Sequence, residues 1–205
     1  DMFERTLYSD EHDIFRQSVR DFAAREITPN NAQWEKDHMV THESWRKLGE
    51  NGFLCIQAPE PYGGLGITDF KYNTAFAEEL ALTGCAGPAV GYPLHNDIVY
   101  PYIHHYGTEA LQKKYTEGFI SGEIVLAIAM TEPGAGSDLQ NMKTTAERRG
   151  DEYVLNGSKT FITNGYLSGG VVVAAKTDPT QGARGISLFY VETDRDGFSK
   201  GQPFE

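Results

Sequence analysis

The 205-residue sequence predicts an α+β protein, with an all-helical first part followed by antiparallel strands. Two observations lead to this prediction. Up to Gly122, apolar residues recur at the spacing of helices with one buried face. After Glu123 they alternate or form short runs, each followed by Gly, Asn, Asp or Pro, as in strands joined by turns. We therefore place one domain at 1–122 and a second at 123–205.

The helical part has four segments with clear boundaries. Residues 9–28 form an amphipathic helix, and its buried face is predicted to hold Ile14, Phe15, Val19, Phe22, Ala23 and Ile27. Shorter helices are predicted at 43–50 with Gly52 as the C-terminal cap, at 70–81, and from Thr108 to Gly122. The Pro- and Gly-rich residues 59–66 form a loop, either a rigid connector or part of a ligand rim.

The second part contains six short strand-like runs. We predict strands at 124–130, 144–148, 153–155, 159–163, 171–176 and 186–191. The dipeptides Asp151-Glu152 and Asn156-Gly157 are the clearest hairpin signals.

Composition excludes several classes of function. The net charge of -11 argues against a nucleic-acid groove, and no apolar run approaches the roughly 20 residues of a membrane span. Cys55 and Cys85 are isolated thiols, which indicates a reducing compartment. The first residues lack the pattern of a secretory signal, so we expect an intracellular or already processed chain. His104-His105 has no third ligand at suitable spacing, so no metal site is predicted.

Two stretches are candidates for a ligand site. In residues 124–138 an apolar run ends in a glycine-rich bend, where exposed amides beside Thr131 and Ser137 can meet a phosphate or a polar ring edge. An ordinary Pro-Gly turn explains the same residues equally well. In residues 156–165, Phe161 can lean against a flat ring while Thr163 offers a hydroxyl. The alternative is that Phe161 is core and Thr163 is ordinary strand.

Taken in order, the helical part, Met-Thr-Glu-Pro-Gly-Ala-Gly-Ser-Asp at 130–138 and Leu-Asn-Gly-Ser-Lys-Thr-Phe-Ile-Thr-Asn-Gly at 155–165 resemble the acyl-CoA dehydrogenase flavoproteins. Residues 85–88, 127–140, 155–159 and 185–189 look most like the long-chain branch. The resemblance implies a β-barrel-like middle domain, and a chain that lacks the family's C-terminal helical bundle.

The resemblance also implies residue roles. Residues expected to bind FAD are Ile128, Met130, Thr131, Gly136, Ser137, Phe161, Ile162 and Thr163. Among them, Phe161 would cover one flavin face, and Thr163 would lie next to the nitrogen that accepts hydride. Residues expected to bind the acyl-CoA substrate are Ser137, Gly87, Pro88 and Leu94. Gly87, Pro88 and Leu94 fall where the family lines its acyl pocket, although small residues equally serve close helix packing.

The family's reaction is an α,β-dehydrogenation of acyl-CoA thioesters. A glutamate removes the α proton while the β hydrogen passes to FAD as hydride, and an electron-transferring flavoprotein takes the electrons. We expect no catalytic residue in this chain, because that glutamate lies in the bundle and Glu132 matches a motif residue. A homotetramer, in a bacterial cytoplasm or the mitochondrial matrix, is the family expectation. The alternatives are an acyl-CoA oxidase or flavin monooxygenase of the same fold, and a non-catalytic binding module.

Overall fold

A computed structural model describes residues 6–203, and they form a helical unit followed by a sheet unit. The first compact unit runs to Ile124, and the second spans Val125–Gln202. The predicted order of a helical part and then a β part is therefore confirmed. Within residues 6–203, no helix combines the length and the apolar composition that crossing a membrane requires.

The helical unit contains seven α-helices among the described residues. They are α1 (Asp10–Phe22), α2 (Thr28–Lys36), α3 (His42–Glu50), α4 (Lys71–Leu82), α5 (Ala86–Pro93), α6 (Tyr100–Tyr106) and α7 (Glu109–Ser121). A π-helical turn at Ala23–Ile27 joins α1 to α2, and another at Leu94–Val99 joins α5 to α6. Pro93 lacks the amide that a regular helix needs, which accounts for the second turn.

The ends of these helices follow from local sequence. The hydroxyls of Thr41 and Thr108 accept hydrogen bonds from amides in the first turns of α3 and α7. Gly52 has φ +71°, as expected for the predicted cap. The prediction of Ile14 on the buried face of α1 is wrong, because this side chain is 68% exposed. It lies outside the stripe that contains Val19, Phe22 and Ile27, which are buried.

Glycines allow α3 and α7 to approach each other closely. A Cβ at Gly49 would lie 2.5 Å from the carbonyl carbon of Ser121. Gly122, with φ +77°, ends α7 where a side chain would overlap the backbone of Trp45. These two positions therefore accept no larger residue without moving a helix.

The sheet unit contains five strands: β1 (Leu126–Ala129), β2 (Thr145–Arg149), β3 (Glu152–Asn156), β4 (Gly170–Lys176) and β5 (Ile186–Glu192). β2 with β3, and β4 with β5, are antiparallel pairs, as predicted. β1 instead runs parallel to β4, and Thr145 of β2 pairs in parallel with Lys176. The described strands form a mixed sheet that does not close into a barrel.

The parallel pairs arise from connection length. A tight turn at Gly150 and Asp151 joins β2 to β3 and forces them antiparallel. Forty residues separate β1 from β4, which leaves room for the crossover that a parallel pair needs. The hairpin predicted at Asn156-Gly157 does not form, and residues 159–163 contain no strand. Phe161 has φ +57°, a left-handed conformation that interrupts an extended chain.

Candidate functional site

The segment that follows β1 forms a turn with an open backbone. The Glu132 amide donates to the Ala135 carbonyl at 2.9 Å, and the Ala135 amide donates to the Glu132 carbonyl at 3.1 Å. A Cβ added at Gly134 or Gly136 would meet no atom within 4 Å. Ser137, the next residue, is exposed. This turn therefore presents backbone and hydroxyl groups that a phosphate can approach.

Glu132 is buried behind this turn and surrounded by donors. Its side chain is 5% exposed, and it accepts hydrogen bonds from the amides of Lys143 (2.6 Å) and Thr144 (3.0 Å), from the Thr144 hydroxyl and from the Lys159 ammonium (2.9 Å). Burial raises the pKa of this carboxyl, but the donors outweigh burial and lower the pKa from 4.5 to about 2. Such a carboxylate is a weak proton acceptor, so Glu132 is unsuited to remove an α proton.

Lys159 and Thr160 join the two stretches that the sequence analysis selected. The Lys159 ammonium donates to the Met130 carbonyl at 2.9 Å, and the Thr160 amide donates to the Thr131 carbonyl at 3.0 Å. Gly157 makes this approach possible, because a Cβ there would lie 2.6 Å from the Cβ of Thr144. The carbonyl side of Met130 and Thr131 is thus held by the second stretch.

The candidate FAD-binding side chains lie in different surroundings. Ile128 and Met130 are half-buried and point away from the face that carries Ala127, since side chains alternate along a strand. Ile162 packs on that opposite face, in the cluster of Ala127, Ala129, Val171 and Val173. Any contact of Ile162 with a ligand on the Met130 face would therefore use its backbone.

Phe161 and Thr163 are both exposed, and Phe161 is 72% exposed. Thr131 is half-buried, and Gly136 and Ser137 are exposed. Together these residues offer an accessible aromatic ring, three hydroxyl groups and an open glycine backbone. An aromatic ring can stack on a flat ring, and hydroxyl groups with open backbone amides can bind a pyrophosphate, so the residues fit FAD.

The candidate substrate residues of the helical unit have contrasting environments. Gly87 is exposed in α5, and a Cβ there would meet no atom within 4 Å. Pro88 is buried, whereas Leu94 is half-buried at the first position of the π-helical turn. Ser137, the fourth candidate, belongs to the sheet unit.

Sequence reasoning missed the roles of Lys159 and Thr144. Both side chains bond directly to Glu132. One signal was present: Lys159 is the one charged residue between Asn156 and Gly165, and it falls in the strand predicted at 159–163. A lysine in such a position needs a carboxylate or carbonyl partner.

Comparison with known proteins identifies both units. The family described as acyl-CoA dehydrogenase, N-terminal domain, matches residues 9–123, and acyl-CoA dehydrogenase, middle domain, matches residues 127–205. The long-chain specific acyl-CoA dehydrogenase, mitochondrial, of Mus musculus is 48% identical over 200 residues, which cover 97% of this chain and 46% of that protein.

Solved structures agree in fold. The acyl-CoA dehydrogenase of Geobacillus kaustophilus superposes with a TM-score of 0.94 and 48% identity, over 98% of this chain and 53% of that one. A glutaryl-CoA dehydrogenase of Mycobacterium smegmatis, in complex with FADH2, superposes with a TM-score of 0.84 and 28% identity, over 94% of this chain and 48% of that one. This chain thus spans about half the length of these relatives.

Proposed function

Because the chain belongs to the acyl-CoA dehydrogenase family, we propose that it provides the N-terminal and middle domains of an FAD-dependent enzyme that dehydrogenates acyl-CoA thioesters between the α and β carbons. The substrates are fatty acyl thioesters of medium to long straight chain, as in β-oxidation. The 48% identity to a long-chain specific relative supports this class.

The observation that carries the proposal is the junction of the two stretches. Lys159 and Thr160 bind the carbonyls of Met130 and Thr131, so residues far apart in sequence form one surface. That surface has the donors and the exposed ring that fit FAD. Phe161 is 72% exposed, and Gly136 and Ser137 are exposed as well, so these groups are available to a ligand.

The proposed roles divide the cofactor and the substrate among these residues. The backbone near Ile128, Met130, Thr131 and Ile162 would contact the flavin ring, with the Phe161 ring and the Thr163 hydroxyl as further contacts. Gly136 and Ser137 bind the pyrophosphate, and Ser137 also meets the thioester. FAD, when bound, accepts the β hydrogen as hydride. Gly87, Pro88 and Leu94 line the acyl chain.

Glu132 is unsuited as the catalytic base, because its carboxylate oxygens are bound to protein donors. From the family resemblance we propose that the base is a glutamate outside residues 1–205. We further propose an electron-transferring flavoprotein as acceptor and a homotetramer as the assembly. The compartment is the bacterial cytoplasm or the mitochondrial matrix.

Anaerobic titration of the full-length protein with acyl-CoA tests the proposal. We expect the bound flavin to lose its visible absorbance on addition of a long-chain substrate, and to regain it slowly in air. Rapid reoxidation by oxygen would instead indicate an oxidase or monooxygenase. A full-length protein that binds acyl-CoA but shows no bleaching would be a non-catalytic binding module.

A further inference from the structure

Glu132 and Lys159 form a buried ion pair whose purpose is not explained by packing. Their side chains are 5% and 11% exposed, and the charged atoms are 2.9 Å apart. Removing two charges from water is costly, and apolar residues of similar size often stabilise a fold equally well. The best-attested use of such a pair is to fix the register of the segments that it joins.

The pair connects three separate segments of the sheet unit. Glu132 follows Met130 and Thr131, and its carboxylate binds the amides of Lys143 and Thr144. Lys159 lies in the second stretch, and its ammonium also reaches the Met130 carbonyl and, at 3.9 Å, the Met142 sulfur. The Lys159 ammonium therefore bonds to three partners: the Met130 carbonyl, the Glu132 carboxylate and the Met142 sulfur. A side chain anchored by several partners holds its backbone in one position.

Shortly after Lys159 the backbone adopts an unfavourable conformation at Phe161. Phe161, two residues after Lys159, has φ +57°, which residues with a Cβ rarely adopt. Such conformations persist where neighbouring contacts determine them, and they are frequent at ligand sites. On one side of Phe161, the Thr160 amide donates a hydrogen bond to the Thr131 carbonyl. On the other side, Ile162 packs against the apolar cluster of the sheet.

We propose that Glu132 and Lys159 are positioning residues, which hold the Met130–Thr131 backbone and the Phe161–Thr163 segment in the register that receives the flavin ring. Neither side chain needs to touch the flavin. The proposal rests on the proposed function, because it assumes that FAD binds at this surface. It extends that function by assigning a role to two residues for which the resemblance gave none beyond membership of the motifs.

The test uses the full-length protein and measures the FAD dissociation constant, the shape of the visible flavin spectrum and the melting temperature without FAD. Lys159→Met removes the ammonium but keeps a long stem. Glu132→Gln removes the carboxylate charge, and the double variant E132Q/K159M leaves no unpaired buried charge. Lys159→Arg keeps a cation and its donors. Lys47→Met is the control, since Lys47 binds Glu26 at 2.8 Å in the helical unit.

We expect Lys159→Met to raise the FAD dissociation constant about tenfold or more, the size of effect seen when a residue that orients a metal ligand is lost. The double variant should fold and still bind FAD weakly, with a flavin spectrum closer to that of free FAD. Lys159→Arg should recover part of the affinity. Lys47→Met should leave affinity and spectrum unchanged.

Wild-type affinity and spectrum in the folded double variant would overturn the proposal, whatever its melting temperature, because the pair would then be only structural. A wild-type protein that retains no flavin would overturn the proposed function, and this proposal with it. The two failures are distinguished by the wild-type spectrum alone.

Discussion

Among residues 6–203, each unit buries one glutamate against at least one cationic side chain, and the two glutamates join different kinds of structure. In the helical unit, Glu79 of α4 is 2% exposed and accepts hydrogen bonds from Arg16 and Arg20 of α1. In the sheet unit, Glu132 accepts from two backbone amides, a hydroxyl and Lys159. Glu79 therefore joins one regular helix to another, whereas Glu132 joins irregular segments.

This difference shows where specific polar contacts are needed. Helices keep their backbone geometry through their own hydrogen bonds, so Glu79 contributes to how α1 and α4 pack. The segments around Glu132 are not part of a helix or a β-ladder, so regular backbone hydrogen bonds do not fix their conformation. That conformation depends instead on the side chains that bind the backbone. Loss of Glu79 should affect stability, and loss of contacts around Glu132 should affect the shape of the candidate site.

The largest effect on stability is expected for Glu79→Ala. It removes the buried carboxylate that holds Arg16 and Arg20, although Arg16 keeps the half-buried Glu78 at 3.0 Å, so we expect the low end of the cost of a broken buried pair, about 3 kcal/mol. Thermal denaturation of the full-length protein should show a lower melting temperature, with the flavin spectrum unchanged. Glu79→Gln keeps an oxygen acceptor and should lose less. An altered spectrum in a folded Glu79→Ala protein would contradict the comparison.

A smaller loss is expected for Gly157→Ala, at the contact that lets the second stretch approach Glu132. The new methyl group would overlap Thr144, and such overpacking costs about 1–3 kcal/mol. Thr144 would move away from the Glu132 carboxylate, so both melting temperature and FAD affinity should fall. Gly201→Ala is a matched control, because a Cβ there meets no atom within 4 Å. Equal behaviour of the two variants would show that the approach of Gly157 is not needed.

The sequence predicted the helical unit more completely than the site. Apolar spacing and cap residues such as Thr108 and Gly122 act locally, so they mark the helix ends without knowledge of the fold. The second stretch was predicted as strand because its residue types suit a strand, and Phe161 proved to be left-handed. That conformation depends on bonds from Lys159 and Thr160 to residues 29 positions earlier, which local patterns do not contain.

The acid sensitivity of the sheet unit gives a third prediction. The pKa of Glu132 in the folded protein is about 2, below its ordinary value of 4.5, so its contribution to stability is complete above pH 4.5 and decreases as the pH falls towards 2. Between about pH 5 and 3, Glu132→Gln should therefore lose less melting temperature than the wild type. The pKa of Glu79 is also lowered, with burial opposing and the arginines favouring its charge, so Glu79→Gln should show the same sign. Parallel curves for Glu132→Gln and wild type would mean that the carboxylate is no better stabilised in the folded state.

The smallest effect on stability is expected for Gly87→Ala, and its sign separates two kinds of helix glycine. Alanine favours a helix over glycine by up to about 1 kcal/mol, and a Cβ at Gly87 meets no atom within 4 Å, so stability should rise slightly. At Gly49 the same change places a Cβ 2.5 Å from the Ser121 backbone, so Gly49→Ala should destabilise despite its better propensity.

Enzyme kinetics then test whether the open space at Gly87 serves the substrate. If Gly87 lines the acyl pocket, Gly87→Ala should raise KM for long-chain acyl-CoA and leave KM for short-chain acyl-CoA unchanged, because only the longer chain reaches the added methyl group. A stabilised enzyme with unchanged KM for every chain length would remove Gly87 from the proposed pocket. The space beside it would then be explained by the position of Gly87 on the solvent-exposed face of α5.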